Sequence, residues 1–410
     1  MNSALPSVES VSATCCIVGG GPAGIMLGFL LARAGVDVLV LEKHRDFFRD
    51  FRGDTIHPST LELMHELGLL EEFLREPHQE MREVTAHFGD KTIHIADFTH
   101  LPTKCKFIAF MPQWDFLNFI ARQARKLPHF KLRMGAEVSE LLIQDERVTG
   151  VKANTSEGTL EVRCQLVVGA DGRSSTVRQC AGLEVNDLGA PIDVLWFRIA
   201  KRPDDPPQAF GFVSAGQFMV LIDRADYWQC AYVIPKGAFD GKRQAGLGAF
   251  REEIVRCVPF FAGRIEQIKD WDEVKLLAVK VDHLRQWYRE GLLCIGDSAH
   301  AMSPVGGVGI NLAIQDAVAT ANLLGVKLRE NKIELADLKK VQARRKRPAL
   351  LTQKVQIFMH KHLLERIFES TGIIATPAPM VLLEKFPRLR RLPARMVGMG
   401  FKPEHVHSSV

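Results

Sequence analysis

Glycines near the N-terminus have the spacing of a loop that binds a diphosphate. Residues 19–24 read GGGPAG, follow a short apolar run at 13–18 and satisfy a GxGxxG pattern. In such a loop the first glycine makes a tight turn, the second lets the backbone approach a pyrophosphate, and the third permits close helix–strand packing. The pyrophosphate would lie at the positive N-terminus of a helix that begins near Pro22 and Ala23. The three glycines are Gly19, Gly21 and Gly24.

An acid follows at the distance expected for ribose binding. Glu42, with Lys43 after it, ends a second apolar run, VDVLVL at 36–41. In a βαβ unit a carboxylate about 20 residues after the glycines accepts hydrogen bonds from ribose hydroxyls. The loop, the helical pattern at 22–34 and the acid together predict dinucleotide binding, and a plain βαβ turn is the alternative. The fingerprint does not choose between NAD and FAD.

Two later segments make that choice. Residues 166–178 read LVVGADGRSSTVR, and residues 292–311 read LLCIGDSAHAMSPVGGVGIN. Together with the N-terminal loop, they resemble the class A flavin monooxygenases that share the para-hydroxybenzoate hydroxylase fold. The resemblance covers nearly the whole chain and implies that the protein binds FAD non-covalently.

The resemblance implies contacts to the ribityl chain and the pyrophosphate. Asp297, after Gly296, would accept hydrogen bonds from the ribityl hydroxyls, because these donors need a fixed acceptor. Asp171 and Arg173 would lie near the pyrophosphate. For Asp171 the alternative is a local turn in which the carboxylate bonds only to its own backbone.

A glycine-rich loop would pass beside the isoalloxazine ring. Only backbone without side chains can lie so close to a flat ring. A helix that begins in this loop would point its N-terminus at the N1 and O2 edge and stabilise the negative charge of reduced flavin. The residues implied here are Pro304, Gly306, Gly307, Gly309, Ile310 and Asn311.

Two further segments resemble cofactor-contacting parts of the family. FRGDTIHPSTLELM at 51–64 makes Arg52 a candidate contact, and MPQWDFLNFI at 111–120 does the same for Gln113. A surface arginine and a helix-capping glutamine are the alternatives.

The implied reaction needs no catalytic triad. NADH or NADPH would reduce FAD, the reduced flavin would react with O2, and a C4a-hydroperoxide would pass oxygen to an aromatic, phenolic or polycyclic small molecule. The cofactor supplies the chemistry while the protein orients it and excludes water, so catalytic side chains stay unassigned. The sequence has no second GxGxxG, which predicts that the nicotinamide binds transiently.

Other functions remain as alternatives. A flavin-dependent reductase or dehydrogenase of the same fold, similar to geranylgeranyl reductase, would carry the same motifs and would not use O2 as co-substrate. A flavin-dependent halogenase is disfavoured because the chain lacks a WxWxIP segment. A non-catalytic flavin-binding protein is the third alternative.

Composition limits the class of protein. The 410 residues are 46% hydrophobic and 25% charged, and the net charge of +5 comes from interleaved acids and bases, so nucleic-acid binding is not expected. Eight scattered cysteines without a CxxC pair or metal-ligand spacing indicate free thiols and no metal site. No signal peptide or membrane span is evident. We expect a cytoplasmic monomer or homodimer, and the basic runs at 344–347 and 385–395 favour a solvated helix face over a membrane or carrier-protein contact.

The pattern of elements predicts an α/β fold: a Rossmann-like FAD-binding domain with an inserted, mainly antiparallel β-sheet substrate domain and a helical C-terminal region. In that region Pro348 is expected at a helix start or kink. The expected segments are 1–80, 106–185 and 284–340 for the FAD-binding domain, 81–105 and 186–283 for the substrate domain, and 341–410 for the C-terminal region.

Aromatic and β-branched strands between about 190 and 280 are the expected substrate surface. Strand alternation lets only half of their side chains face the flavin, and for each of them core packing is the alternative. The candidate contacts are Trp196, Arg198, Phe210, Phe212, Gln217, Met219, Trp228 and Tyr232.

Overall fold

Two large β-sheets position the candidate site. The computed structural model describes residues 8–48, 55–89, 91–206, 211–370 and 376–407. The strands are β1 Val8–Val18, β2 Val38–Glu42, β3 Thr55–Ile56, β4 Gln79–Met81, β5 Glu83–Phe88, β6 Lys91–Asp97, β7 Ile108–Phe110, β8 Phe130–Met134, β9 Glu137–Gln144, β10 Arg147–Thr155, β11 Gly158–Gly169, β12 Val185–Asp187, β13 Ile192–Ala200, β14 Gly211–Ser214, β15 Gln217–Asp223, β16 Tyr227–Pro235, β17 Lys275–Leu277, β18 Asp282–Leu284, β19 Tyr288–Arg289, β20 Leu292–Cys294 and β21 His300–Ala301.

Helices surround both sheets. The α-helices are α1 Pro22–Arg33, α2 Pro58–Glu66, α3 Leu70–Phe73, α4 Gln113–Ala124, α5 Thr176–Cys180, α6 Phe239–Ala245, α7 Leu247–Cys257, α8 Gly309–Arg329, α9 Leu335–Met359, α10 Glu365–Glu369, α11 Ala378–Lys385 and α12 Arg391–Gly398. A π-helical turn, His360–Leu364, joins α9 to α10. No helix of the described residues is long and apolar enough to cross a bilayer.

The first sheet has eight strands with a parallel centre. Its order is β19-β20-β11-β1-β2-β8, and β10 and β9 continue from β11 as antiparallel strands. Strands β20, β11, β1, β2 and β8 run parallel to one another. Ten of the 12 residues of α1 are buried, as expected for a helix enclosed between a parallel sheet and a second helix, here α8. This is the predicted Rossmann-like half of the fold.

The second sheet has seven strands in the order β17-β13-β16-β15-β14-β5-β6. All pairs are antiparallel except β14 with β5. Its strands come from two stretches, 83–97 and 192–277, so the chain enters this sheet twice. The predicted α/β class with an inserted, mainly antiparallel sheet is confirmed, whereas the segment boundaries stay a prediction.

Of the two predictions for Pro348 in the C-terminal region, a helix start and a kink, the helix start is wrong. Pro348 lies inside the 25-residue helix α9 and neither starts nor ends it. Arg345, Ala349 and Gln353 on one side of α9 are buried, because this side packs against α8 and the first sheet. Tertiary packing therefore keeps the helix continuous through a residue that disfavours it.

Candidate functional site

Three loops converge because they follow three adjacent parallel strands. β1 lies beside β11, with Val18 opposite Gly169, and β11 lies beside β20, with Gly169 opposite Cys294. The loops that leave the carboxyl ends of these strands therefore lie side by side, which is where open α/β sheets bind their ligands. They are the three motif segments that were singled out from the sequence.

The three glycines of the first loop are required for two different structural reasons. A Cβ atom on Gly24 would lie 1.9 Å from the Gly19 carbonyl oxygen, and one on Gly19, where φ is +106°, would lie 2.3 Å from that of Ala170. A Cβ on Gly21 would meet no atom of the described residues within 4 Å. Two glycines therefore allow close packing within the protein, while the third leaves backbone open to a ligand.

The N-terminus of α1 is free to bind an anion. Pro22 occupies its first turn, Ala23 is buried beside it, and no side chain in the described part of the chain caps the helix. Its first N–H groups and the helix dipole are therefore directed at the open side of Gly21. This geometry fits a pyrophosphate.

Glu42 is fixed at the end of β2 by two backbone donors. The N–H of Gly20 donates to its Oε2 at 2.8 Å, and the N–H of His44 donates to its Oε1 at 3.0 Å. The side chain of Lys43 is exposed beside it. The carboxylate thus lies against the glycine loop, in the position that suits a ribose contact.

The second loop contains a partly exposed arginine, Arg173, with one buried nitrogen that lacks a partner among the described residues. Arg173 Nη2 lies 3.6 Å from Asp297 Oδ2, but Arg173 Nη1 is buried and has no hydrogen-bond partner among the described residues. Asp171 accepts a hydrogen bond from the N–H of Val177, and burial raises the pKa of this carboxyl group. An unpartnered guanidinium nitrogen beside the open glycine loop fits the phosphates of a dinucleotide such as FAD.

Asp297 follows a glycine whose positive φ would strain any other residue. Gly296 has φ of +61°, and its Cβ would lie 3.1 Å from that of Ala23 and 3.2 Å from that of Ala313. The side chain of Asp297 is 30% exposed. The structure thus brings Arg173, Asp297 and the first glycine loop together, as a shared cofactor requires.

The flavin loop, residues 304–309, is tied to β3. Thr55 Oγ1 donates to the carbonyl oxygen of Gly307 at 3.0 Å. Asn311 donates to the carbonyls of Thr55 and Gly307, and its Oδ1 accepts from the N–H of His57 and from Thr60 Oγ1. The side chain of Asn311 is thus used within the protein, so its contact to a cofactor would come from its backbone.

The rest of the loop offers backbone rather than side chains. Gly306 and Gly307 have φ of +79° and +62°, Pro304 precedes them, and α8 begins at Gly309 with no side-chain cap. Ile310 is buried in the core of the first sheet. An uncapped helix N-terminus suits the negative edge of a reduced flavin.

Two further cofactor contacts were predicted, at Arg52 and Gln113, and the structure describes only Gln113. Gln113 is the first residue of α4 and comes just after β7, which pairs with β3, so it lies on the same side of the molecule as the flavin loop. Arg52 lies outside the described residues, as does Phe210. Both stay predictions.

Helix α9 holds the flavin loop through side chains that the sequence reasoning missed. Gln356 Oε1 accepts from the N–H of Ser303 at 3.2 Å, and its Nε2 donates to the carbonyls of Ser303 and Val305, both at 2.9 Å. His360 Nε2 lies 2.9 Å from Ser303 Oγ, and burial lowers the pKa of His360 to about 4. Gln353 bonds to the carbonyl of Ala301. The sequence did contain a sign of this role, because the polar residues at 353, 356 and 360 are spaced to lie on one helical face.

A buried ionic network joins this region to the C-terminal segment. Asp316 Oδ2 accepts from the N–H of Gly296 and contacts His300 Nε2, and its Oδ1 accepts from Arg345 Nε at 2.9 Å. Arg345 also contacts Glu404. Burial alone would raise the pKa of Asp316, but His300 and Arg345 hold this pKa below its usual value. One arginine of the basic run 344–347 is therefore a core residue, and not part of a solvated face.

The seven-stranded sheet shows which side chains face the flavin loop. One face belongs to a cluster that contains Val194, Val213, Ala231 and Val233, and Val305 of that loop packs against this cluster, which also holds Leu364 and Ile367 of the C-terminal region. The opposite face is covered by α6 and α7 and holds a separate aromatic core.

Most of the substrate candidates are on the helix-covered face. Tyr232 donates to Glu253 of α7, and Trp228 donates to Asp205. The candidates on this face are Phe212, Gln217, Met219, Trp228 and Tyr232. The sequence predicts that these side chains contact a substrate, but the alternation of each strand points them into the helix-covered core and away from the flavin loop. Arg198 and Trp196 alternate with them and lie on the loop-facing side.

Comparisons with known proteins identify the family. The FAD binding domain family matches residues 12–354 of the chain. The 6-methylpretetramide 4-monooxygenase of Streptomyces rimosus is 31% identical over 410 residues, covering 99% of this chain and 96% of that protein. The uncharacterized aromatic compound monooxygenase YhjG of Bacillus subtilis (strain 168) is 26% identical over 74% of this chain, which spans 59% of that relative.

A solved structure shows the same fold. The p-nitrophenol 4-monooxygenase PnpA from Pseudomonas putida DLL-E4 superposes with a TM-score of 0.77 at 20% identity, over 94% of this chain and 97% of that one. The shared fold therefore extends across both sheets and into the C-terminal region.

Proposed function

The chain belongs to the FAD binding domain family and is an FAD-dependent monooxygenase, and we propose that it hydroxylates an aromatic, phenolic or polycyclic small molecule with NADH or NADPH as the electron donor. The observation that carries the proposal is the convergence of three cofactor loops beside a sheet face that bears aromatic side chains. When bound, FAD supplies the activation of oxygen.

The residues of the three loops would hold the cofactor. The N-terminus of α1 and Arg173 would bind the pyrophosphate, Glu42 the ribose, and Asp297 the ribityl chain. Gln356 and Asn311 would keep the flavin loop in one conformation by bonding its backbone. These assignments rest on the open backbone at Gly21, the uncapped helix ends and the unpartnered Arg173 Nη1.

The loop-facing side of the sheet would hold the substrate. Half-buried Trp196, Phe218 and Val220 pack in the same cluster as Val305, so a flat aromatic compound would lie between them and the flavin loop. Arg198 extends from the same side. A largely apolar wall also keeps water from the reacting atoms.

A pair of neighbours in β15 tests this assignment. Phe218 packs in the same cluster as Val305 of the flavin loop, together with Leu364 and Ile367 of the C-terminal region, whereas Met219 lies in the helix-covered core. We expect Phe218→Ala to raise KM for the substrate about tenfold with little change in melting temperature. Met219→Ala should lower the free energy of unfolding by about 2–5 kcal/mol while leaving KM nearly unchanged. Equal effects of the two variants on KM would contradict the assignment.

Turnover distinguishes the monooxygenase from its alternative. Oxidation of NADH and NADPH by the FAD-loaded protein is followed, with oxygen and peroxide monitored, across phenols, quinol precursors and polycyclic aromatics. One compound should accelerate oxidation with oxygen uptake and little free peroxide. A compound reduced equally well without oxygen would favour a reductase related to geranylgeranyl reductase.

We further propose that the protein works in the cytoplasm as a monomer or homodimer. All eight cysteines are free thiols, which is usual in a reducing compartment. Light scattering of the FAD-loaded protein measures the oligomeric state.

A further inference from the structure

The C-terminal helices α11 and α12 have an apolar outer surface. Four of the 15 large apolar side chains that are exposed in the described part of the chain lie within residues 381–392. Leu392 of α12 is 66% exposed, and about half of each of the others is exposed; these are Val381, Leu382 and Phe386. A single exposed apolar side chain is ordinary, whereas a cluster of them marks a site of interaction.

The inner side of the same helices is packed against the body of the protein. Met380 of α11 packs against the same cluster as Val305 of the flavin loop. Ala394 of α12 is fully buried in a cluster with Phe98 and Ile108. Both helices contact β6, which is one edge strand of the seven-stranded sheet. The helices are thus anchored by their inner sides, and their outer side has no cover in the described part of the chain.

Basic side chains lie among the exposed apolar ones. Residues 378–398 contain five lysines and arginines and a single acid. Lys385, Arg388 and Arg395 are exposed, and none of the three forms an ion pair with an acid of the described residues. Arg388 and Arg395 are four residues before and three residues after Leu392, so they lie about one helical turn on either side of it. We call these three cations and the four exposed apolar residues the C-terminal patch.

The chemistry of the C-terminal patch fits the surface of an anionic bilayer. Surface elements that bind membranes insert large apolar side chains at the boundary of the acyl chains, while lysines and arginines remain at the lipid phosphates. A guanidinium group binds a phosphate through two parallel hydrogen bonds. The patch supplies both kinds of side chain within two turns of Leu392.

Other occupants fit the patch less well. A protein partner would have to provide a pocket for the protruding Leu392 and acids beside it for both arginines, whereas a fluid bilayer needs no complementary shape. In a symmetric dimer through the patch, the cations of one copy would lie against those of the other, and like charges across an interface repel. The combination of apolar side chains and unpaired cations therefore favours lipid.

We propose that the C-terminal patch binds the protein to a bilayer that contains anionic phospholipids. Leu392 and Phe386 enter the apolar boundary, and Arg388 and Arg395 bind phosphate groups beside them. This is a contact with the surface of the bilayer and not a span across it. The basic run 385–395, which its sequence alone favours as a solvated helix face, thereby gains a function from the apolar side chains exposed within it.

Sedimentation with vesicles tests the proposal. The FAD-loaded protein is mixed, without NADH or NADPH, with vesicles of phosphatidylcholine alone or with about one-third phosphatidylglycerol added. Leu392→Asp replaces the protruding apolar side chain with an acid, and Leu276→Asp is the matched control. Leu276 is 45% exposed on β17, at the edge of the seven-stranded sheet opposite to β6.

A second pair of variants tests the charges. Arg388→Gln combined with Arg395→Gln removes two cations from the patch. Arg243→Gln combined with Arg256→Gln removes two exposed arginines from α6 and α7, so both double variants have the same net charge. A difference between them in vesicle binding therefore reports the position of the cations and not their number.

We expect the wild-type protein and both controls to bind the anionic vesicles at least about tenfold more tightly than the phosphatidylcholine vesicles. Leu392→Asp and the double variant of the patch should each weaken binding to the anionic vesicles about tenfold, with unchanged FAD content and melting temperature. If Leu392→Asp does not retain FAD, Leu382→Asp on α11 takes its place.

The proposal is overturned if the wild-type protein does not bind the anionic vesicles, or if the patch variants and their controls lose binding equally. A wild-type dimer that Leu392→Asp converts to a monomer in light scattering would assign the patch to a second copy of the chain instead. Binding to poly-L-glutamate but not to vesicles, lost in the double variant of the patch, would assign it to an acidic protein. Turnover is measured separately, so failure of the proposed monooxygenase substrate leaves this test unaffected.

Discussion

The nucleotide loops and the flavin loop are held in place in different ways. The glycine loop at 19–24 is shaped by its own backbone, because Gly24 lies against Gly19 and only a missing Cβ allows that approach. The flavin loop and Ser303 before it are instead held by side chains distant in sequence: Gln356 from α9, His360 from the π-helical turn that follows it, and Thr55 from β3. The comparison shows that one half of the cofactor site is set by local sequence and the other half by long-range contacts.

The largest loss of FAD binding is expected from a change in the glycine loop, which is shaped by its own backbone. In Gly24→Ala the new Cβ would lie 1.9 Å from a backbone oxygen, so α1 must move away from β1. We expect no retention of FAD, measured by absorbance of the purified protein and by titration of the apoprotein. Gly241→Ala adds a Cβ that meets nothing within 4 Å and serves as the control. Normal FAD content in Gly24→Ala would show that this loop is less constrained than its geometry indicates.

The next effect tests the network that joins the flavin loop region to the C-terminal segment. Arg345→Met leaves the carboxylates of Asp316 and Glu404 buried without this cation. The free energy of unfolding should fall by about 3–5 kcal/mol, since breaking a buried ion pair leaves an uncompensated charge. Arg347 of the same basic run is exposed, and Arg347→Met should change the free energy of unfolding by less than about 0.5 kcal/mol. Chemical denaturation measures both, and similar losses would contradict the distinction.

A smaller effect should be confined to the flavin loop. Gln356→Leu removes three hydrogen bonds to Ser303 and Val305, each of which contributes about 1 kcal/mol. We expect FAD to bind about tenfold more weakly, measured by quenching of flavin fluorescence. Gln342 lies on the same helix but bonds to Trp287 and Arg285. Gln342→Leu should therefore reduce stability without changing FAD affinity. If Gln342→Leu weakened FAD binding and Gln356→Leu did not, the assignment of Gln356 as the loop's positioning residue would be wrong.

The smallest effect concerns pH. His57 and His360 have folded-state pKa values of about 4, below the unfolded value of about 6.5. The unfolded state therefore binds protons first, and stability present above pH 6.5 is lost as pH falls toward 4. Each histidine should account for about 2 kcal/mol at pH 5. In His360→Asn the decline between pH 7.5 and 5 should be shallower by about that amount, and an unchanged slope would show that His360 is not neutral when buried.

The sequence by itself showed a dinucleotide-binding loop and the order of the three motifs, whose resemblance to the class A flavin monooxygenases implied FAD. These were predictable because glycine spacing and the acids Glu42 and Asp297 act through local backbone geometry, which a short segment carries within itself. The α/β class followed from the periodicity of the elements and is confirmed. The helix α9 was also predictable, but its polar face at 353, 356 and 360 was overlooked beside the more obvious basic run.

Only the tertiary structure decided which side of each strand meets the flavin loop. A strand has two faces, and its sequence pattern does not say which one another domain will cover. Phe212, Met219 and Trp228 are as aromatic or apolar as Trp196 and Phe218, yet α7 covers the first group and Val305 contacts the cluster of the second. The same holds for Arg345, whose burial depends on Asp316 and Glu404, residues 29 and 59 positions away. The burial of a side chain and the direction in which a strand face points both arise from contacts between segments distant in the chain. Only the tertiary structure could therefore decide them.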